Sequence, residues 1–161
     1  MRGDALLRLL AAAPVRDQGR SDLHTYRPPM HPNDGGVMCN FIMQALRGDD
    51  ITIYGSGQQA RSFCYVDDLI EAMIRMMESP ADFMRPVNIG NPGKFSIPKL
   101  AELIIQMTNS KRKLIFKRFP QYDPKQRQPD ITLAKSELSW EVALALETGR
   151  EKTITYFKTV I

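Results

Sequence analysis

The stretch Gly55-Ser56-Gly57-Gln58-Gln59-Ala60-Arg61-Ser62-Phe63-Cys64-Tyr65-Val66-Asp67-Asp68-Leu69 decides how this chain is read. Gly55, Gly57 and Ala60 have the G-x-G-x-x-G/A spacing of a dinucleotide-binding loop, and they follow a strand-like run, Ile51-Thr52-Ile53-Tyr54. That fingerprint works only where a helix opens straight after the glycines, because the helix N-terminus holds the pyrophosphate. Here Arg61 to Val66 follow instead, an aromatic and β-branched run that reads as extended backbone. The first helix start is Asp67 or Asp68, too late for the glycines to cradle a phosphate. A strand, a turn and a second extended segment presenting Arg61 are expected.

Outward from this stretch, strands alternate with helices. Tyr26 to Gly36 holds three prolines and Asn33-Asp34-Gly35-Gly36 and reads as loop. Val37 to Arg47 reads as a helix with Phe41, Ile42, Ala45 and Leu46 inward, closed by Gly48. Asp67 or Asp68 is expected to cap the next helix, whose stripe of Leu69, Ile70, Met73, Ile74 and Met77 is expected in the core. Glu71 and Arg75 form an i,i+4 pair on its outside. Val87 to Gly90 reads as a short strand before the Asn91-Pro92-Gly93 turn. A helix from Ser96 to about Asn109 tolerates Pro98 in its first turn. Lys113 to Phe119 is expected as an amphipathic strand with Lys111, Arg112, Lys113, Lys117 and Arg118 on its wet face, and Pro120 to Pro129 as a loop. Thr132 to Leu138 and Leu146 to Thr159 are the closing helices, with Trp140 between them. The fold class is α/β.

At 161 residues with a net charge of +4, the chain suits one ordinary domain and an anionic small ligand. The charge is too weak to argue nucleic acid, and no apolar run is long enough to span a bilayer. Cys39 and Cys64 share no metal-ligand spacing with His24 and His31, so a reducing, cytoplasmic setting is the default reading. Residues 1–22, with the apolar run Ala5 to Ala13, read as a leader without assignable function, and residues 23–161 as the binding portion.

Two arginines project from constrained backbone. Arg61 follows the glycine turn, and Arg127 lies in Asp123-Pro124-Lys125-Gln126-Arg127-Gln128-Pro129-Asp130. A guanidinium fork suits bidentate contact with a diphosphate, although either arginine taken alone also reads as a solvated surface charge. Chemistry is harder to find. No tyrosine has a lysine four residues later: positions 30, 58, 69, 126 and 160 are Met, Gln, Leu, Gln and Val. There is no Ser-His-Asp set and no P-loop. The residues describe binding without a catalytic centre, so no catalytic or metal-ligating residue is assigned.

From Met30 to about Phe157 the chain resembles the C-terminal part of the UDP-glucuronate decarboxylases (UDP-xylose synthases), which are extended short-chain dehydrogenase/reductases. The resemblance is carried by Asn40-Phe41-Ile42, Gln44 to Gly48, Ile51 to Gly55, Arg61 to Leu69, Val87 to Gly93, Pro124 to Arg127, Pro129 to Lys135 and Leu138 to Glu141. It implies the substrate-binding part of an incomplete Rossmann-type fold. It also implies a reaction in which bound NAD+ oxidises the sugar C4 hydroxyl, the 4-keto acid loses CO2, and NADH returns the hydride to give UDP-xylose. The family's Tyr-x-x-x-Lys pair and glycine-rich NAD loop match nothing in this sequence, so the chain alone is expected to be inactive. On the resemblance, Arg61 and Arg127 bracket the diphosphate, Asn40 lies near phosphate or sugar, Tyr54 lies beside the uracil, and Thr25 and His31 lie near the nicotinamide end of NAD. The match breaks at His24 to Met30, where the family usually reads Asn-Thr-Tyr-Gly-Pro-Arg-Met, and at Gly36, where it usually has an arginine.

The alternative is a non-catalytic UDP-sugar-binding module, or a remnant of another nucleotide-sugar epimerase or dehydratase. The expected ligand is a UDP-sugar. The expected protein partner is a full-length relative or a second copy of this chain, met through apolar faces left uncovered. No nucleic-acid or membrane partner is expected.

Overall fold

The structure, a computed structural model, describes residues 24–28, 30, 31, 35–80, 82, 83, 85–118 and 128–161. The leader, and the loop segment 119–127 with Arg127, lie outside the described residues. The elements are β1 (His24–Tyr26), α1 (Val37–Arg47), β2 (Ile51–Tyr54), β3 (Ala60–Arg61), β4 (Phe63–Tyr65) and α2 (Val66–Glu78). They continue with β5 (Phe95–Ser96), α3 (Ile97–Thr108), β6 (Leu114–Lys117), α4 (Thr132–Leu138) and α5 (Leu146–Val160).

The strands pair in three couples among the described residues: β1 with β4 and β2 with β6 in parallel, and β3 with β5 antiparallel. Parallel partners need long crossovers, and here helices supply them. Between β2 and β6 the chain passes through α2 and α3. The mixed α/β class holds. β1 and β5, two or three residues each, were not foreseen, and Tyr26 belongs to β1 rather than to the loop.

Two apolar clusters hold the chain. The larger packs α1 (Met38, Phe41, Ile42), β2 (Ile51, Ile53), α3 (Leu100, Ala101, Ile104) and α5 (Ile154, Phe157) around the tyrosines Tyr26 and Tyr65. Those two rings meet edge to face with centroids 5.3 Å apart. A Cβ at Gly149 would fall against the Tyr26 hydroxyl and 2.8 Å from Cδ2 of Tyr65, so only glycine lets α5 approach this closely. Burial raises the Tyr26 phenol well above its usual range, partly offset by the Arg150 guanidinium. The smaller cluster joins α2 (Ala72, Met76), Val87, Ile131 just before α4, Ala134 and Leu138 of α4, and Trp140.

α1 and α3 run as the periodicity predicts, each closed by a left-handed residue, Gly48 (φ 78°) and Asn109 (φ 54°). Elsewhere the structure corrects the expectations. α2 begins at Val66, with Tyr65 at its N-cap and no side-chain cap, so neither Asp67 nor Asp68 caps it. Asp68 is buried and works at a distance. Its carboxylate accepts the Ala143 amide (3.1 Å) and the Leu144 amide (3.3 Å), and its carbonyl accepts the Trp140 indole N–H (2.9 Å).

The apolar stripe of α2 is not core. Ile70, Met73, Ile74 and Met77 are 38–48% exposed, while the face turned inward is Asp68, Ala72 and Met76. β6 is not amphipathic either, because Ile115 and Phe116 are exposed beside its lysines. Val87 to Gly90 forms no strand: Val87 is buried against α4, but no described strand lies alongside to pair with it. The Glu71–Arg75 pair is present at 2.7 Å, and the Arg75 Nη1 also donates to the carbonyl of Ser139.

Candidate functional site

The loop between β2 and β3 is built as a turn and packed from within. Gly55 and Gly57 take left-handed φ values of 81° and 74°. The Gly55 amide donates to the Lys117 carbonyl (2.8 Å), extending the β2–β6 ladder, and the Ile97 amide donates to the Gln59 carbonyl (3.1 Å), fixing the turn to α3. A Cβ at Gly57 would stand 2.7 Å from Cγ of Pro98 and 3.1 Å from Cε1 of Phe116. The space over the second glycine is therefore filled, and two strands rather than a helix follow it. This loop does not fit an NAD pyrophosphate, and the described residues form no dinucleotide cradle around it.

Tyr54 ends β2 with half its surface exposed, and its carbonyl accepts the Gln59 side-chain amide (3.1 Å). Arg61 lies at the far end of the turn, 4% exposed, in register with Phe95 of β5. Its Nη1 donates to the Ala60 carbonyl (3.1 Å). A buried guanidinium is costly unless it is hydrogen-bonded and meets opposite charge, so a protein keeps one where something anionic is to be held or paired. Among the described residues, the other buried charged side chains are Asp68 and Arg150, and Arg150 donates to the Glu147 carboxylate at 2.9 Å.

Asn40 is exposed in the first turns of α1, its side-chain amide donating to the Gly35 carbonyl (3.3 Å). The three-residue link from α1 to β2 turns the chain back on itself. Thr25, half-buried, is in register with Cys64 on β4, and the exposed His31 follows in the loop leading to α1. Tyr54 is the last residue of β2, at its carboxyl end, and Arg61 follows it across one turn. In α/β folds ligands bind at that carboxyl end. Arg127 lies outside the described residues. Its successor Gln128 is placed, and its side-chain amide donates to the Pro92 carbonyl (2.9 Å).

The Asn91-Pro92-Gly93 turn is where these segments meet. Asn91 Oδ1 accepts the Gly93 amide (2.7 Å), and Asn91 Nδ2 donates to the Phe63 carbonyl (3.0 Å), two residues past Arg61. Pro92 separates two clefts of about 420 Å3 each. One is walled by Phe95, Leu144 and Glu147, the other by Gln128, Asp130, Thr132 and Lys135. The Thr132 hydroxyl and amide both donate to Asp130 (2.7 and 3.0 Å), holding its carboxyl below the usual range. The turn itself was legible, but the reach of Asn91 to Phe63 was not. An Asn with Gly two residues later signals an Asx turn, which would have singled out Asn91 without naming its distant partner. Among the described residues no group of three or more His, Cys, Asp and Glu could hold a metal ion, and no helix is long and apolar enough to cross a membrane.

Residues 23–90 match the NAD dependent epimerase/dehydratase family. UDP-glucuronic acid decarboxylase 1 of Xenopus tropicalis is 47% identical over 135 residues, which is 84% of this chain and 32% of that protein. Among solved structures, UDP-glucose 4-epimerase of Thermotoga maritima with UDP-glucose superposes with a TM-score of 0.79 at 30% identity, over 84% of this chain and 44% of that one. UDP-glucuronic acid 4-epimerase of Bacillus cereus, in complex with UDP-glucuronic acid and NAD, gives 0.78 at 26% identity over 85% and 43%. The chain spans about a third of the length of the curated relatives it matches.

Parallel strand pairs joined through helices, a family match over residues 23–90 and superposition on these epimerases point to one class: the chain is similar to part of the extended short-chain dehydrogenase/reductases. Within that class it is similar to the UDP-glucuronic acid decarboxylases, the group its motifs resemble.

Proposed function

We propose that this chain supplies the nucleotide-sugar side of a UDP-glucuronate decarboxylase-like site. The observation that carries the reading is Arg61, a guanidinium 4% exposed and set on a two-residue strand beyond the carboxyl end of β2. Shielding from water strengthens its attraction for a diphosphate, and the planar fork matches two phosphate oxygens at once. Arg127 is the second arginine of this reading, and its neighbour Gln128 is anchored on the Pro92 carbonyl. Tyr54, exposed at the end of β2, offers a flat ring beside the uracil, and Asn40, exposed on α1, offers a polar contact to phosphate or sugar. Thr25 and His31 belong to the cofactor side of this reading. The packed turn at Gly57 does not fit an NAD pyrophosphate, and among the described residues no other glycine turn takes its place.

Titration of the 161-residue chain with UDP tests the proposal. Arg61→Ala is expected to weaken binding about tenfold or more, since a charge-assisted hydrogen bond contributes roughly 1.5–3 kcal/mol. Equal affinity in wild type and variant refutes it. Without a Tyr-x-x-x-Lys pair in its sequence, the polypeptide by itself is expected to release no CO2 from UDP-glucuronate with NAD+. Formation of UDP-xylose in that incubation would overturn this part.

A further inference from the structure

We propose that Asn91 is the positioning residue that sets Arg61 for the diphosphate. The inference rests on the reading of Arg61 above and deepens it. Arg61 sits on a strand of two residues, too short to hold a side chain in one place by its own ladder. Its surroundings do the holding from two directions. On one side Arg61 pairs with Phe95, and on the other Phe63, 1% exposed, receives the Asn91 amide at 3.0 Å.

Asn91 and Phe95 belong to one short segment, and Arg61 and Phe63 to another. The two contacts therefore close a small ring of chain around the base of the arginine. The Asn91 side chain is rigid in this role because its oxygen is engaged by the Gly93 amide at 2.7 Å, leaving the amide nitrogen aimed at Phe63. The same turn receives Gln128 at the Pro92 carbonyl, so one asparagine orders both the β3–β4 junction and the turn that anchors Gln128. Asn91 touches no part of the arginine's fork in this arrangement. It acts through the backbone of β3 to β5.

That mode of action separates phosphate from base. Ligand-observed titrations of the full 161-residue chain with UDP and with uridine, on wild type, Asn91→Ala, Arg61→Ala and the double variant, read it directly. Asn91→Ala is expected to weaken UDP about tenfold, the scale of one misplaced charge-assisted bond, and to leave uridine affinity unchanged. In the Arg61→Ala background it is expected to cost nothing further, because the group it positions is gone.

Equal loss of UDP and uridine, additive losses in the double variant, or wild-type UDP affinity in Asn91→Ala overturns the proposal while leaving the reading of Arg61 standing. If Arg61→Ala binds UDP as wild type does, the reading of Arg61 falls first and this proposal with it. Should Asn91→Ala fail to fold by far-ultraviolet circular dichroism, Asn91→Ser carries the same expectations. Its hydroxyl still accepts the Gly93 amide but is too short to reach Phe63.

Discussion

Exchange of Asp68 for alanine would remove the acceptor for the Ala143 and Leu144 amides, one of them exposed and one half-buried, and leave a cavity at a carboxylate that is only 6% exposed. Losing two hydrogen bonds and the packing of a buried side chain together costs a few kcal/mol. Asp68→Ala is expected to lower unfolding stability by about 2–3 kcal/mol in urea titrations with little change in slope, and Asp68→Asn by less, because the amide oxygen still accepts. A loss below about 0.5 kcal/mol for the alanine variant would mean that the clasp on residues 143–144 is not what holds that loop. The Asp67-Asp68 doublet was legible as the start of a helix. The use of the second carboxylate was not, because its partners lie some 75 residues on and no local pattern points to them. Arg61 marks the opposite case. Its place after a turn could be read from Gly55 and Gly57, whereas its pairing with Phe95 of β5 follows from no spacing rule.

Of the helices, α1, α3, α4 and α5 follow the sequence pattern to within about a residue, because each buries the stripe that its periodicity displays. α2 shows the stripe and does not bury it. Periodicity reports that an apolar face exists and says nothing about what covers it. Ile70, Met73, Ile74 and Met77 lie open on one side of a helix whose other side closes the smaller cluster. An apolar face of this kind favours self-association or a partner chain. Sedimentation velocity is expected to show concentration-dependent association of the chain. Ile74→Lys should suppress it while changing stability by no more than about 0.5 kcal/mol, the usual scale for an exposed position. A wild type that stays monomeric across the concentration range removes the expectation. The strands were less legible than the helices. β1 and β5 are too short to show an alternation, and the Val87 segment shows a strand's composition without a described neighbour to pair with.

At the scale of the whole molecule, burial makes three groups resist ionisation: Cys64, and Tyr26 and Tyr65 of the larger cluster. Burial pushes the Cys64 thiol from its ordinary 9.0 up to about 12, with the Asp68 charge adding to it, and burial raises the phenols of Tyr26 and Tyr65 as well. Each group holds its proton more tightly folded than unfolded. The stability tied to these protons is fully present below about pH 9 and is lost as pH climbs toward 12, where the unfolded chain releases protons that the folded one retains. The thermal midpoint is therefore expected to be insensitive to these groups near neutrality and to fall steeply above about pH 9. A midpoint that holds or rises through that alkaline range would contradict the burial described for these three side chains.

The chain has a single tryptophan, and Trp140 is seated in the smaller cluster, 1% exposed and hydrogen-bonded to the Asp68 carbonyl. Tyr26 and Tyr65 are in the larger one. Indole emission thus reports the smaller cluster, while the buried part of the phenol absorbance comes from Tyr26 and Tyr65 in the larger one. Recording both along one denaturation curve shows whether the two interiors dissolve together or one after the other, without a label or a mutation.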